Sequence, residues 1–257
     1  MKAVILAGGI GSRLAEETIA RPKPMVEIGG KPIIWHIMRI YAHHGVDEFI
    51  VCAGYKSELL KEYFVNLRLH HSDITVDTRS GAVTYHRPCD LGWKVTVVDT
   101  GGETMTGGRL RKVRAYLDPG EPFCLTYGDG VGDVDIAAEV AFHRGHGLKA
   151  TMTIVAPPSR FGAARVEQER ITAFVEKPLG EGGGVNGGFF VLEPSVVDLI
   201  EDDRTVWERG PLETLAAAGQ LAAFRHDGFW QPMDTLRDKR TLEELWSRGK
   251  APWKVWP

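Results

Sequence analysis

The chain has 257 residues, 43% of them hydrophobic and 25% charged, with a formal net charge of −3 at pH 7. That balance suits one globular domain with a full core, and it excludes an overall basic field that would draw nucleic acid or an anionic membrane, so any phosphate recognition has to be local. No apolar run approaches the roughly 18 residues of a membrane span and no charged-then-apolar leader opens the sequence, so a cytoplasmic location is expected. Cys52, Cys89 and Cys124 show no metal or disulfide spacing, and Cys52 and Cys124 read as core fillers inside apolar runs.

Residues 3–7 are a short apolar run, predicted to be a buried parallel strand. Gly8, Gly9 and Gly11 follow, where backbone amides can approach a ligand with no Cβ in the way. Ser12 and Arg13 add a hydroxyl and a guanidinium, and Lys23 lies between Pro22 and Pro24. Open α/β sheets bind ligands at the C-terminal ends of their strands, and this inventory suits a polyphosphate. Two familiar glycine loops are excluded. No Gly-Lys-Ser/Thr follows at P-loop spacing, and Leu14 stands where a dinucleotide fingerprint needs its third glycine.

Pro32 fits the first position of a helix, and Ile33, Ile34, Ile37, Met38, Ile40 and Tyr41 recur at helical spacing to about His43. A strand at 48–52 and a helix at 57–64 continue a βαβ rhythm, which predicts a parallel, doubly wound sheet. From Ser72 the rhythm changes, and strand-like segments at 73–77 and 82–86 around Arg79-Ser80-Gly81 predict an inserted β-hairpin over about 72–92. Residues 94–99 resume the sheet. Residues 100–108 carry four glycines and read as a nucleotide-contacting loop ahead of a helix that begins with Arg109 and Arg111.

Residues 123–127 read as a central strand that empties into Gly128-Asp129-Gly130. A carboxylate between glycines at a strand end suits a hard cation, and it also suits a plain turn; the polyphosphate loop favours the cation. Asp133 is expected to N-cap a helix over 134–146. Strands follow at 150–155, 164–167 and 171–175, and then Glu176-Lys177-Pro178. That Glu-Lys pair can be mere solvated surface, but its Pro-fixed place before Val185-Asn186-Gly187-Gly188-Phe189-Phe190 favours a sugar-phosphate role. Helices near 195–200 and 211–218 and a strand at 221–226 lead to Phe229-Trp230-Gln231-Pro232-Met233-Asp234-Thr235. Asp234 fits either an N-cap of the helix at 235–247 or a second carboxylate beside Asp129. The tail carries Trp253 and Trp256, expected to pack on the body or on a neighbouring subunit. The expected organisation is a single domain over 1–257, with the hairpin at about 72–92 and a C-terminal helix plus tail at about 235–257.

The string Leu-Ala-Gly-Gly-x-Gly-Ser-Arg-Leu followed by Lys-Pro-Met resembles the signature of the sugar-1-phosphate nucleotidylyltransferases. Within that family the chain is similar to the branch that couples CTP to glucose 1-phosphate. The stretches at 21–32, 35–38, 99–101, 105–110, 126–130, 176–178, 186–190 and 229–238 carry this likeness essentially end to end. The resemblance implies a Rossmann-like, doubly wound mixed α/β sheet of the nucleotide-diphospho-sugar transferase type. It implies CDP-glucose and pyrophosphate as products, a place in deoxysugar and lipopolysaccharide O-antigen biosynthesis, and a homo-oligomer, expected to be a hexamer.

The resemblance also implies site residues. Leu6, Ala7, Gly8, Gly9, Ile10, Gly11, Ser12 and Arg13 would bind the nucleotide with Lys23, Thr104, Arg109 and Gly128. Asp129 and Asp234 would hold Mg²⁺, and Glu176, Lys177, Asn186 and Gly187 would bind the sugar phosphate. In the mechanism that follows, a sugar-phosphate oxygen attacks the α-phosphorus in line. Arg13 neutralises the leaving pyrophosphate and Lys23 bridges the two phosphates, so positioning and charge do the catalysis. Ser12 stands where threonine is common, which preserves the hydroxyl, and 163–168 depart from the pattern beside the sugar. The same chemistry with dTTP or UTP, or with another phosphorylated acceptor, is the alternative, since spacing does not reveal the contacts that choose the base. Intact Arg13, Lys23, Asp129 and Asp234 speak against a catalytically inactive sugar-nucleotide sensor.

Overall fold

Seven strands make one mixed sheet in this computed structural model, which describes residues 1–86, 91–156 and 184–257, and 163–167 and 170–175 as strand backbone. In chain order they are β1 (Lys2–Ala7), β2 (Glu48–Ala53), β3 (Lys94–Asp99), β4 (Phe123–Tyr127), β5 (Ala150–Val155), β6 (Val185–Leu192) and β7 (Leu221–His226). Their spatial order is β7-β5-β6-β4-β1-β2-β3. β1 pairs in parallel with both β2 and β4, while β6 runs antiparallel to β4 and β5. A strand with neighbours on both edges and layers on both faces has to be apolar throughout. β1 obeys: Ala3, Ile5 and Ala7 face one core and Val4 and Leu6 the other.

The chain steps from β1 outward to β2 and β3, and then returns to lay β4 on the opposite edge of β1. This reversal leaves a crevice beyond the C-terminal ends of β1 and β4, the position at which doubly wound sheets take their ligands. The glycine loop after Ala7 and the Gly128-Asp129-Gly130 loop open into it side by side, because Leu6 is in register with Tyr127. The helices α1 (Ile33–His43), α2 (Ser57–Val65), α3 (Thr106–Lys112), α4 (Ile136–His146), α5 (Gly210–Ala217) and α6 (Leu236–Ser247) flank the sheet. No helix among the described residues is long and apolar enough to cross a membrane.

Several local expectations need correction. α3 starts at Thr106 rather than at Arg109, so Gly107 and Gly108 are helical. Their lack of a side chain has a packing cause: a Cβ would lie 2.7 Å from the Thr205 carbonyl oxygen at Gly107 and 2.6 Å from the Asp203 backbone at Gly108. Asp135, not Asp133, N-caps α4 by accepting from the Ala138 amide at 2.9 Å. Asp133 instead accepts from the Phe229 amide at 2.7 Å and faces His226 at 3.0 Å, which braces the segment leading to Asp234. Pro194–Leu199 is a 3-10 helix. Thr235, not Asp234, caps α6, in a capping box with Asp238.

Outside the main sheet, Asp73–Val76 pairs antiparallel with Val83–His86, and Ala163–Glu167 pairs with Arg170–Val175. Cys52 and Cys124 are fully buried thiols, and Cys89 lies outside the described residues. The tail folds back on the body, burying Trp253 completely and Trp256 nearly so.

Candidate active site

A cavity of about 340 Å³ sits over the ends of β1 and β4. The predicted nucleotide residues Leu6, Ala7, Gly8, Gly9, Gly11, Ser12, Arg13, Lys23, Thr104, Arg109 and Gly128 line it, as does Asp129. Ile10 does not line it; its side chain points into solvent. Two of the glycines are required by geometry. Gly11 has φ +70, and a Cβ at Gly8 would lie 1.9 Å from Arg109 Nη1. That contact arises because Arg109 is buried beneath the loop. Its Nη1 donates to the Ala53 carbonyl (3.2 Å), Thr100 Oγ1 (2.7 Å) and the Gly101 carbonyl (2.8 Å), and its Nη2 to the Gly8 (3.0 Å) and Gly102 (3.2 Å) carbonyls. One guanidinium thus ties the end of β1, the end of β2 and the 100–102 loop together. Burial pulls its pKa below the usual arginine value, but guanidinium stays charged in proteins.

The charged centre lies at the floor of this cavity. Lys23 Nζ donates to Asp129 Oδ2 and to Asp234 Oδ1, each at 2.7 Å, and Arg13 Nη1 donates to Asp234 Oδ2 at 3.0 Å. Burial opposes the lysine charge, but Asp129 and Asp234 outweigh it and hold the Lys23 pKa above its ordinary value. Local structure explains the convergence. Lys23 opens a 3-10 turn after the extended Pro22, and Trp230–Pro232 pairs antiparallel with Gly130–Gly132. The Met233 amide then donates to the Asp129 carbonyl at 2.8 Å. With Thr235 as the helix cap, the Asp234 carboxylate is left to face the centre.

Two carboxylates already sharing one cationic group form a position fit for a metal cation. Among the described residues no group of three or more His, Cys, Asp or Glu gathers. A bound cation would therefore take two protein oxygens and complete its shell with phosphate oxygens and water, which suits a hard divalent ion.

A second cavity of about 280 Å³ adjoins the first and shares Arg13, Tyr127 and Asp129 with it. Asn186 and Gly187 line it, together with Thr126, Gly188, Trp230 and Asp234. Trp230 Nε1 donates to the Gly187 carbonyl at 2.6 Å, and Asn186 Nδ2 to the Tyr127 hydroxyl at 3.3 Å. Glu176 and Lys177 lie outside the described residues. Sequence reasoning missed Tyr127, which reads as one more strand residue, and Trp230, which stood in a conspicuous string without a role.

Comparison with known proteins agrees with this geometry. The nucleotidyl transferase family model matches residues 2–231. The chain is 58% identical over 256 residues to the glucose-1-phosphate cytidylyltransferase of Salmonella typhi, covering 100% of both chains. It is 43% identical over 257 residues to a probable glucose-1-phosphate cytidylyltransferase of Bacillus subtilis (strain 168), again covering 100% of both. The crystal structure of a putative glucose-1-phosphate thymidylyltransferase from Bacillus anthracis superposes with a TM-score of 0.71 at 18% identity, covering 100% of this chain and 97% of that one, and so shares the fold. The sheet, the crevice and the full-length likeness agree, and the chain belongs to the nucleotidyl transferase family.

Proposed function

We infer that the chain transfers CMP from CTP to glucose 1-phosphate, giving CDP-glucose and pyrophosphate. The observation that carries this reading is the pair of adjoining cavities with the Lys23–Asp129–Asp234 centre where they meet. A nucleoside triphosphate over the glycine loop and a sugar phosphate beside Asn186 would bring their phosphates together at that centre. CTP and glucose 1-phosphate, rather than another pair, are supported by the full-length identity to relatives with that activity in their names.

An oxygen of the sugar phosphate forms the new bond to the α-phosphorus, and the bond from that phosphorus to the bridging oxygen of pyrophosphate breaks. No protein nucleophile is needed; alignment and charge neutralisation lower the barrier. The backbone amides of the glycine loop meet the triphosphate. Lys23 neutralises charge between the two reacting phosphates. Arg13, whose side chain is 76% exposed, is free to turn toward the leaving pyrophosphate. Asp129 and Asp234 would hold Mg²⁺, which when bound supplies Lewis-acid charge at the α-phosphate. Asn186 and Gly187 bind the sugar, and Glu176 and Lys177 keep the sugar-phosphate role that the sequence suggests for them. A homo-oligomer, a hexamer in this reading, is supported by the exposed apolar side chains of Ile74, Val76 and Val83 on the hairpin.

The test is pyrophosphate release from glucose 1-phosphate and Mg²⁺ with each of CTP, UTP, dTTP, ATP and GTP. A signal with CTP well above the rest is expected. Preference for another base would keep the chemistry and overturn the choice of nucleotide, and silence with all five would overturn the acceptor.

A further inference from the structure

Glu208 lies in the turn just ahead of α5, more than 20 positions from every predicted site residue, yet it hydrogen-bonds residues that line both cavities. Its Oε1 accepts from the Tyr127 hydroxyl at 2.5 Å and its Oε2 from the Thr106 hydroxyl at 2.7 Å. Tyr127 lines both cavities, and Thr106 lines the nucleotide cavity. The Thr106 hydroxyl also accepts from the Trp207 amide at 2.9 Å, so its proton is directed to Glu208. Two hydroxyl donors from two elements therefore anchor one carboxylate.

The direction of each hydrogen bond beyond Tyr127 then follows. The Gly188 amide can only donate, and it does so to Asn186 at 2.7 Å, so the Asn186 atom facing it is Oδ1. Nδ2 is thereby turned toward the Tyr127 oxygen, which has to offer a lone pair, as it can because its own proton goes to Glu208. The Tyr127 hydroxyl thus sits between one acceptor, the Glu208 carboxylate, and one donor, the Asn186 amide, which fixes the direction of the chain. Among the described residues this leaves one N–H and one lone pair of Asn186 for the cavity it lines. A sugar hydroxyl, which both donates and accepts, matches that pair.

We propose that Glu208 is a positioning residue that, through Tyr127, fixes the Asn186 amide for the sugar phosphate. The proposal rests on the sugar-phosphate reading of the second cavity. Glutamine at 208 cannot replace the carboxylate. Its amide nitrogen would meet either Thr106 or Tyr127 and leave that hydroxyl's proton without the acceptor it has in Glu208.

The experiment is steady-state kinetics of wild type, Glu208→Gln, Tyr127→Phe and the double variant, with glucose 1-phosphate and CTP varied in turn, and a thermal melt of each. Glu208→Gln is expected to raise KM for glucose 1-phosphate about three- to tenfold and to leave KM for CTP within about twofold. Tyr127→Phe should do the same, and the double variant should be no worse than Tyr127→Phe alone, since both changes break one chain. A merely structural role would move the melting point and both KM values together. Should the glutamine variant not fold, Tyr127→Phe alone tests the link. A wild type that makes no CDP-glucose overturns the functional reading itself. An active wild type whose variants keep KM for glucose 1-phosphate, raise both KM values alike, or show additive effects overturns the role of Glu208.

Discussion

Lys23 and Asp129 meet at 2.7 Å, and Asp234 completes the arrangement from the other side at the same distance. Without the ammonium, two carboxylates would face each other across a partly buried gap, with Arg13 beside Asp234. Lys23→Ala is expected to reduce pyrophosphate release by about a thousandfold, since it removes the fixed charge between the reacting phosphates. It should also lower the melting point in EDTA, and added Mg²⁺ should recover more of that loss in the variant than in wild type. Near-normal turnover would remove Lys23 from the phosphate site.

Gly8 and Arg109 form the second rigid element of the nucleotide cavity. Gly8→Ala puts a methyl group where the guanidinium lies, and relief requires either the strand end or the arginine to move. Either motion breaks hydrogen bonds to the Gly8, Ala53, Gly101 and Gly102 carbonyls. KM for CTP should rise at least about tenfold and the melting point should fall by several degrees. Arg109→Lys should act in the same direction, because a single ammonium cannot span carbonyls from three segments. Unchanged CTP kinetics in both variants would show that the loops hold their shape without this tie.

Much of this site was legible in the chain. Gly8, Gly9, Gly11, Ser12, Arg13, Lys23 and Gly128-Asp129 announce themselves by residue type and by their place at strand ends, and the structure brings them into one cavity. Asp234 was legible only as a choice between cap and ligand, and Thr235 takes the cap. Gly107 and Gly108 resembled loop, because glycine's reason for being in a helix lay in the approach of Asp203 and Thr205. Glu208 was invisible: a charged residue in a turn has no periodicity, and its partners come from 81 and 102 positions away.

Glu139 carries the pH dependence that the fold builds in. Its side chain is 1% exposed on α4, Oε1 accepts from the Thr153 hydroxyl at 2.7 Å, and Oε2 has no partner among the described residues. Burial pushes its pKa up to about 7, with the Thr153 hydroxyl pulling the other way. The folded pKa is above the ordinary glutamate value of 4.5. Between those pH values the folded state keeps a proton that the unfolded chain has released, so stability falls as pH rises through that window and levels off above it. The loss amounts to about 3 kcal/mol at most. Glu139→Gln removes the titration. Melting points of the two proteins at pH 5 and pH 8 should show wild type losing ground to the variant at the higher pH. Parallel shifts would mean that Glu139 is already ionised in the folded protein.

Trp253 closes the core behind the segment that leads to Asp234. It is completely buried, stacked on Phe229 at 5.6 Å and on Trp246 at 6.3 Å, and its indole Nε1 donates to His36 Nδ1 at 3.4 Å. The Ile28 carbonyl can only accept, so its 2.9 Å contact with His36 Nε2 puts the ring proton there and leaves Nδ1 as acceptor. Burial holds the His36 pKa down to about 4, which keeps the ring neutral and this tautomer in place. Ile28 follows closely on the 3-10 turn that presents Lys23, so the tail supports the active site from beneath. Trp253→Ala should cost about 3–5 kcal/mol, a fall in melting point of about 10 °C for a chain of this size. Trp253→Phe, which keeps the stacking and loses only the indole donor, should cost less than half of that. Deleting residues 253–257 should cost at least as much as the alanine variant, since it also removes the buried Trp256. A melting point unmoved by the deletion would show that the aromatic cluster around His36 holds without its last two members, Trp253 and Trp256.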